Sequence, residues 1–280
     1  MATMLSVCLI VRDEAEVLGR CLSGVSCVCD EIIVVDTGSH DETKRLATEF
    51  TDKIFDYTWR DDFAAARNFA FSKASGDALM YLDADDVVLL EEADKLRAFH
   101  TMPDGIDTVF AEYDIPENGC ISICPRIVRK RASNDYWMNP IHETIDVPGK
   151  TLISDLRILH RKTKPAAYDR NLSIIRNLLK IGYNWNFHLA ANCWLDAYST
   201  GDRPLADALW EICRSCAVRG DDTAVADLIS SVVLFRTGDS ETADALLRFK
   251  HLAMIKRLSA LQADLRGNPS YENILPRHDR

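Results

Sequence analysis

The first hundred residues alternate apolar runs with segments of helical spacing, and this alternation constrains the fold more than any other feature of the chain. Leu5–Val11 (LSVCLIV) is an apolar run. The segment after it, RDEAEVLGRCL, carries Ala15, Leu18 and Leu22 at helical spacing, with Asp13 and Glu16 placed as a helix-start pair. A second run, Glu31–Val35, leads into DTGSHDETKRLATEF, where Ser39 and Glu42 have the spacing of a capping box and Gly38 permits a tight turn. Lys53–Tyr57, Phe63–Ala74, Ala78–Leu82 and Leu90–His100 continue the pattern as strand, helix, strand and helix. Strands joined through helices pair in a mostly parallel sheet covered on both faces. In such sheets ligands bind beyond the carboxyl ends of the strands. Arg12–Glu14, Asp36 and Asp83–Asp86 each follow a predicted strand, so all of them share that edge.

The residues at this edge are acidic. ALMYLDADDVVLL (Ala78–Leu90) places Asp83, Asp85 and Asp86 where a buried strand ends, and like charges so close repel unless a cation, hydrogen bonds or water offset them. In an extended segment Asp83 and Asp85 point the same way while Ala84 points aside. Two carboxylates on one side suit magnesium or manganese, which take oxygen ligands and commonly share them with substrate phosphates. The plain alternative is a capped, solvated acidic turn. Asp36 can accept from a pyrimidine NH or a ribose hydroxyl, or simply close a turn. Arg67 is expected on a helix rich in Ala and Phe, where it either contacts a base or phosphate or snorkels to water.

From about residue 106 the texture changes to strand-like pieces with turns: TVFAEYDI, CISICPRIV, then YWMNPIHETIDVPGKTLISDLRILH. After Pro165 the chain reads as helical. There TGDRPLADAL (Thr200–Leu209) returns as TGDSETADAL (Thr237–Leu246), a spacing close to the helix-hairpin period of tetratricopeptide-type arrays. The expected organisation is one α/β domain over 1–165, with halves at 1–105 and 106–165, followed by a helical region over 166–280. The final RGNPSYENILPRHDR reads as a loose tail.

A formal charge of −10 argues against nucleic acid or an anionic membrane as a partner. Two local basic runs, Pro125–Arg131 (PRIVRKR) and Arg157–Lys164 (RILHRKTK), read as solvated surface on their own. No apolar run approaches the ~18 to 20 residues of a membrane helix. The nine cysteines are odd in number and lack zinc-knuckle pairing, which fits reduced thiols in the cytoplasm.

Taken in order, SVCLIVRDEAEVLGRCL, DEIIVVDTGSHDET, WRDDFAAARNFAFSKASGDALMYLDADD, PRIVRK and NPIHE resemble the family-2 glycosyltransferases of GT-A fold over residues 4 to 145. The branch most similar includes lipopolysaccharide-core glucosyltransferases and sublancin-type peptide glycosyltransferases, some with tetratricopeptide-like helices after the catalytic domain. The resemblance implies a UDP-sugar donor and an inverting transfer assisted by Mn2+ or Mg2+. The acceptor would be a glycan, a lipid-linked saccharide or a peptide, and the C-terminal helices are a possible docking place for acceptor or protein partner. It further implies uracil at Asp36, assistance from Arg67, ribose and metal at Asp83–Asp85, and Val11, Arg12 and Glu14 along the nucleoside. Asp13 stands where many relatives have Asn.

A base must take the acceptor's proton, and Asp86 and Glu143 are both candidates. His142 is expected to approach the metal or diphosphate, with strand alternation turning Glu143 the other way. Two rival readings use the same residues. MYLDADDVV also fits the nucleophile strand of haloacid-dehalogenase-type phosphatases, although that family carries it on the first strand. A non-catalytic binding module is the other, and the intact acidic triplet speaks against it.

Overall fold

The strand β1 (Leu5–Val11) shows why this chain makes a buried sheet: Leu5, Val7, Leu9 and Val11 enter one core while Cys8 enters a second on the other face. Side chains of a strand alternate, so a run apolar at every position must be covered twice. On the first face α1 (Leu18–Val25) buries Leu18, Cys21, Leu22 and Val25. On the second, α3 (Phe63–Lys73) buries Ala64, Ala70 and Phe71. The computed structural model describes residues 4–116, 120–133, 135–147, 149–164 and 167–218.

The remaining strands are β2 (Glu31–Asp36), β3 (Ile54–Asp56), β4 (Ala78–Tyr81), β5 (Asp86–Val87), β6 (Thr108–Ile115), β7 (Cys120–Arg129), β8 (Trp137–Met138), β9 (Thr144–Ile145) and β10 (Thr151–His160). Eight of them form one sheet in the order β3-β2-β1-β4-β7-β6-β10-β5, and β8 pairs with β9 apart from it. The first four are mutually parallel. Beyond β4 the direction reverses at β7 and again at β6, β10 runs parallel to β6, and the short β5 closes the edge antiparallel to β10. The α/β sheet expected from the sequence is therefore present, mixed rather than mostly parallel, and its parallel half brings the carboxyl ends of β1, β2 and β4 to one edge.

Three local expectations fail. Asp13 and Glu16 do not start α1: its N-cap is Val17, which makes no side-chain cap, and Asp13 adopts φ +53°. Ser39 and Glu42 do not form a capping box on α2 (Thr43–Ala47); Ser39 Oγ instead accepts from the Asp13 backbone N–H at 2.9 Å. The residues 90–100 are not one helix but a short α4 (Ala93–Arg97) flanked by single 3-10 turns. In the first two, contacts between the loops after β1 and β2 replace the local ones that spacing predicted.

The first compact unit of the chain ends at Ala167 and a second begins at Tyr168. In the second, α5 (Tyr168–Lys180), α6 (Phe187–Thr200) and α7 (Arg203–Val218) follow one another. Gly201 ends α6 in the left-handed region at φ +80°, and the Asp202 carboxylate accepts from the Leu205 N–H at 3.3 Å as α7 begins. The Gly-Asp turn read from Thr200–Leu209 thus joins two helices. Its second copy, Thr237–Leu246, and the tail lie outside the described residues. Among the described residues no helix is long and apolar enough to cross a membrane.

Candidate functional site

Parallel pairing brings the ends of β1 and β2 together, with Val11 beside Asp36 in register. Past that point the two loops hold each other. Asp13 Oδ1 accepts from the His40 N–H at 2.7 Å, and the Glu14 N–H donates to Thr43 Oγ1 at 2.7 Å. Lys164, from the segment after β10, pairs with Glu14 Oε2 at 2.9 Å and donates to the Asp13 carbonyl. Arg12 is exposed beside them. Asp36 is buried, and its Oδ1 accepts from the N–H groups of Gly38 and Ser39, both at 2.9 Å. Its Oδ2 is buried with no hydrogen-bond partner among the described residues.

At the end of β4 the chain leaves the extended conformation. A turn closed by the Asp86 N–H on the Asp83 carbonyl at 3.0 Å sends the carboxylates of the acidic run in different directions. This corrects the expectation that Asp83 and Asp85 face one way. Asp83 Oδ1 accepts from Arg67 Nη2 at 2.7 Å, while Arg67 Nε donates to Glu143 Oε1 at 2.8 Å. Arg67 is buried on α3, and its guanidinium lies over the rings of Trp137 and Tyr81. It does not snorkel. Burial alone would lower its pKa, but Asp83 and Glu143 outweigh that and raise it. Burial likewise pushes the Asp83 carboxyl up, and the Arg67 and Arg126 guanidiniums more than reverse it, leaving it lowered.

Asp85 goes the other way. Burial and the neighbouring Asp83 and Asp86 charges raise its pKa, against His160 and a backbone hydrogen bond, which lower it. His160, the last residue of β10, stands in register with Asp86. Its Nδ1 lies 3.2 Å from Asp86 Oδ1 and 3.5 Å from Asp85 Oδ1. The Asp86 hydrogen bond is the chief reason its pKa is raised. Asp85, Asp86 and His160 each offer one ligand atom, and these lie within 4.8 Å of one another. Carboxylate oxygens with one imidazole fit Mn2+ or Mg2+, the nitrogen favouring manganese. Asp83 and His142 are not members of that group.

Asp86 is fully buried. Its Oδ1 accepts from Tyr113 Oη at 2.8 Å, and its Oδ2 accepts from Arg126 Nη1 at 3.1 Å and the Asp83 N–H at 3.0 Å. Enclosure of this kind sets Asp86 apart from Glu143, the other candidate base, whose side chain is partly exposed. His142 and Glu143 are not in a strand either. They sit in a bend before β9, with His142 at φ +47°, so alternation does not govern their directions. Ala84 is buried in the core beneath the turn.

Spacing missed Tyr113, Arg126, His160 and Lys164. Two signals were present: Arg126 lies in the basic run 125–131, and His160 and Lys164 lie in the run 157–164. Read singly, each run looked like solvated surface.

Residues 6–153 match the profile of glycosyl transferase family 2. A TPR repeat-containing protein of Synechococcus elongatus is 42% identical over 142 residues, which cover 50% of this chain and 35% of that protein. The SPbeta prophage-derived glycosyltransferase SunS of Bacillus subtilis is 32% identical over 187 residues, 62% of this chain and 44% of that protein. The chain thus spans less than half the length of these two curated relatives. Among solved structures, glucosyl-3-phosphoglycerate synthase from Mycobacterium tuberculosis in complex with Mn2+ and UDP-glucose is similar at a TM-score of 0.45 and 16% identity, over 65% of this chain and 80% of that one.

Proposed function

The chain belongs to glycosyl transferase family 2, and from that premise we propose that it transfers a sugar, with inversion, from a UDP-sugar to a glycan, lipid-linked saccharide or peptide. The observation that carries this reading is Asp36 Oδ2, a buried acceptor without a partner at the end of β2. Its sister oxygen is held by two backbone N–H groups, so the carboxylate cannot turn away. A buried acceptor left unpaired costs about 1–3 kcal/mol, and the imide N–H of uracil is a donor that matches it. Val11, Arg12 and Glu14 border the same place and would line the nucleoside. Asp83, fixed by Arg67, serves the ribose.

The cation is assigned to Asp85 and His160, where Mn2+ or Mg2+ would supply Lewis-acid stabilisation of the departing diphosphate. Glu143 is the proposed base. It keeps part of its surface in water and is steered by Arg67, whereas Asp86 is enclosed. The thiols outside any disulfide among the described residues, buried Cys8, Cys21, Cys193 and Cys213 included, are compatible with a reducing cytoplasm. The rival phosphatase reading needs a free aspartate nucleophile at the first position of the DADD run. That position is Asp83, which follows β4, the fourth strand along the chain, whereas that family carries its nucleophile on the first.

A panel of nucleotide sugars with Mn2+, scored for donor hydrolysis without acceptor, tests the class and the donor together. Hydrolysis of one UDP-sugar, abolished by EDTA, is expected, and Glu143→Gln should retain UDP binding while losing about 10²–10⁴ in transfer. Release of phosphate from a simple phosphomonoester with no action on any nucleotide sugar would reverse the assignment.

A further inference from the structure

We propose that Tyr113 and Arg126 are positioning residues that act through Asp86 to set the His160 imidazole for a divalent cation. The inference deepens the functional reading above and rests on its cation site. Tyr113 comes from β6 and Arg126 from β7, two strands outside the acidic turn. Tyr113 Oη lies 2.8 Å from Asp86 Oδ1 and 2.7 Å from His160 Nδ1, so one phenol touches both members of the pair. The Tyr113 and His160 rings also pack together, with centroids 5.3 Å apart. On the other side Arg126 Nη1 holds Asp86 Oδ2 at 3.1 Å, and its guanidinium lies over the rings of Tyr113 and Tyr81 at 4.1 and 4.6 Å.

Asp86 therefore has both oxygens engaged inside the protein, by the Tyr113 hydroxyl, the Arg126 guanidinium and the Asp83 N–H. A carboxylate in that state orients an imidazole ligand, as outer-shell carboxylates do in many metal sites. Energetics point the same way. Arg126 and Asp86 are a nearly inaccessible ion pair, at 3% and 0% side-chain exposure. Such pairs add little stability over well-packed apolar residues. Arg126 Nε is moreover buried with no hydrogen-bond partner, a further cost that the fold alone does not repay. Orientation of His160 gives that cost a purpose.

The test is Mn2+ affinity, read by electron paramagnetic resonance on the full chain without nucleotide, at a temperature where every variant is folded. Tyr113→Phe keeps the ring and removes only the hydroxyl. It should weaken Mn2+ binding about tenfold or more, and Arg126→Lys should shift it in the same direction. In a His160→Ala background, Tyr113→Phe should cause no further loss, because its effect runs through that ring. Unchanged affinity in Tyr113→Phe, or full additivity with His160→Ala, would overturn the proposal. A wild-type chain that binds no Mn2+ would instead remove the cation site, and with it this proposal, while the reading carried by Asp36 has its own test.

Discussion

At Asp36 the two oxygens of one carboxylate do different work. Oδ1 is spent on the turn at Gly38 and Ser39, and Oδ2 is left buried and unpaired. In Asp36→Asn, the amide oxygen can keep the turn bonds while its NH2 then meets the uracil N–H, donor against donor. A hydrogen bond to a charged group contributes about 1.5–3 kcal/mol, so uridine and UDP affinity should fall roughly 10- to 100-fold. Calorimetry with uridine is the check, since a ligand without phosphates reports on this contact alone. An unchanged uridine affinity would place the base elsewhere. The acidic residues of the site were legible in the sequence because each follows its own strand directly. Glu143 was legible only as one of two candidates, and what separates it from Asp86 is burial, which spacing does not report.

Among the elements, α1 packs tightly against the segment that follows the acidic turn. A Cβ built on Gly24 would sit 2.5 Å from the carbonyl oxygen of Val88, just past β5. That oxygen belongs to the backbone and cannot swing aside. The helix packs this tightly because Leu18, Cys21, Leu22 and Val25 all enter the core, and Cys21 Sγ donates to the Asp83 carbonyl at 3.4 Å. Gly24→Ala should cost about 1–3 kcal/mol through overpacking, despite its higher helix propensity. Urea unfolding measures the loss. A gain of stability would mean that α1 can retreat from β5 freely.

Across the whole molecule, charge is sorted between the two ends of the parallel strands. The carboxyl ends gather the acidic site, while the amino ends are tied by one buried carboxylate, Glu31. It accepts from Ser6 Oγ, from the Ser75 N–H at 2.8 Å and hydroxyl at 2.7 Å, and from Lys53. Burial pushes its pKa up, but Lys53, Ser6 and Ser75 bring it down from the ordinary 4.5 to about 2. A depressed carboxyl stabilises the fold fully above the unfolded value and loses that contribution as pH falls from 4.5 toward about 2. Glu31→Gln should therefore cost roughly 1.5–3 kcal/mol at neutral pH, with the gap to wild type closing across that acid window. Denaturant melts at pH 7, 4 and 3 would show it, and a gap independent of pH would assign the stabilisation to packing. Because Glu31 is at the far end of the strands, nucleotide binding should be unaffected while the fold holds.

The sequence by itself determined the alternating α/β pattern, the edge at which Asp36 and Asp83–Asp86 gather, the helix that carries Arg67, and the Gly-Asp turn before α7. All of these follow from local rules: side-chain period, turn chemistry and the order of strands and helices along the chain. Only the tertiary structure decided which carboxylate is enclosed and which is open, and which cations attend them. His160 meets Asp86 through the antiparallel register of β10 on β5, Tyr113 and Arg126 reach it from β6 and β7, and Lys164 reaches Glu14 across most of the first unit. The register of distant strands is set by the pairing of the whole sheet, and no spacing within a short segment encodes it.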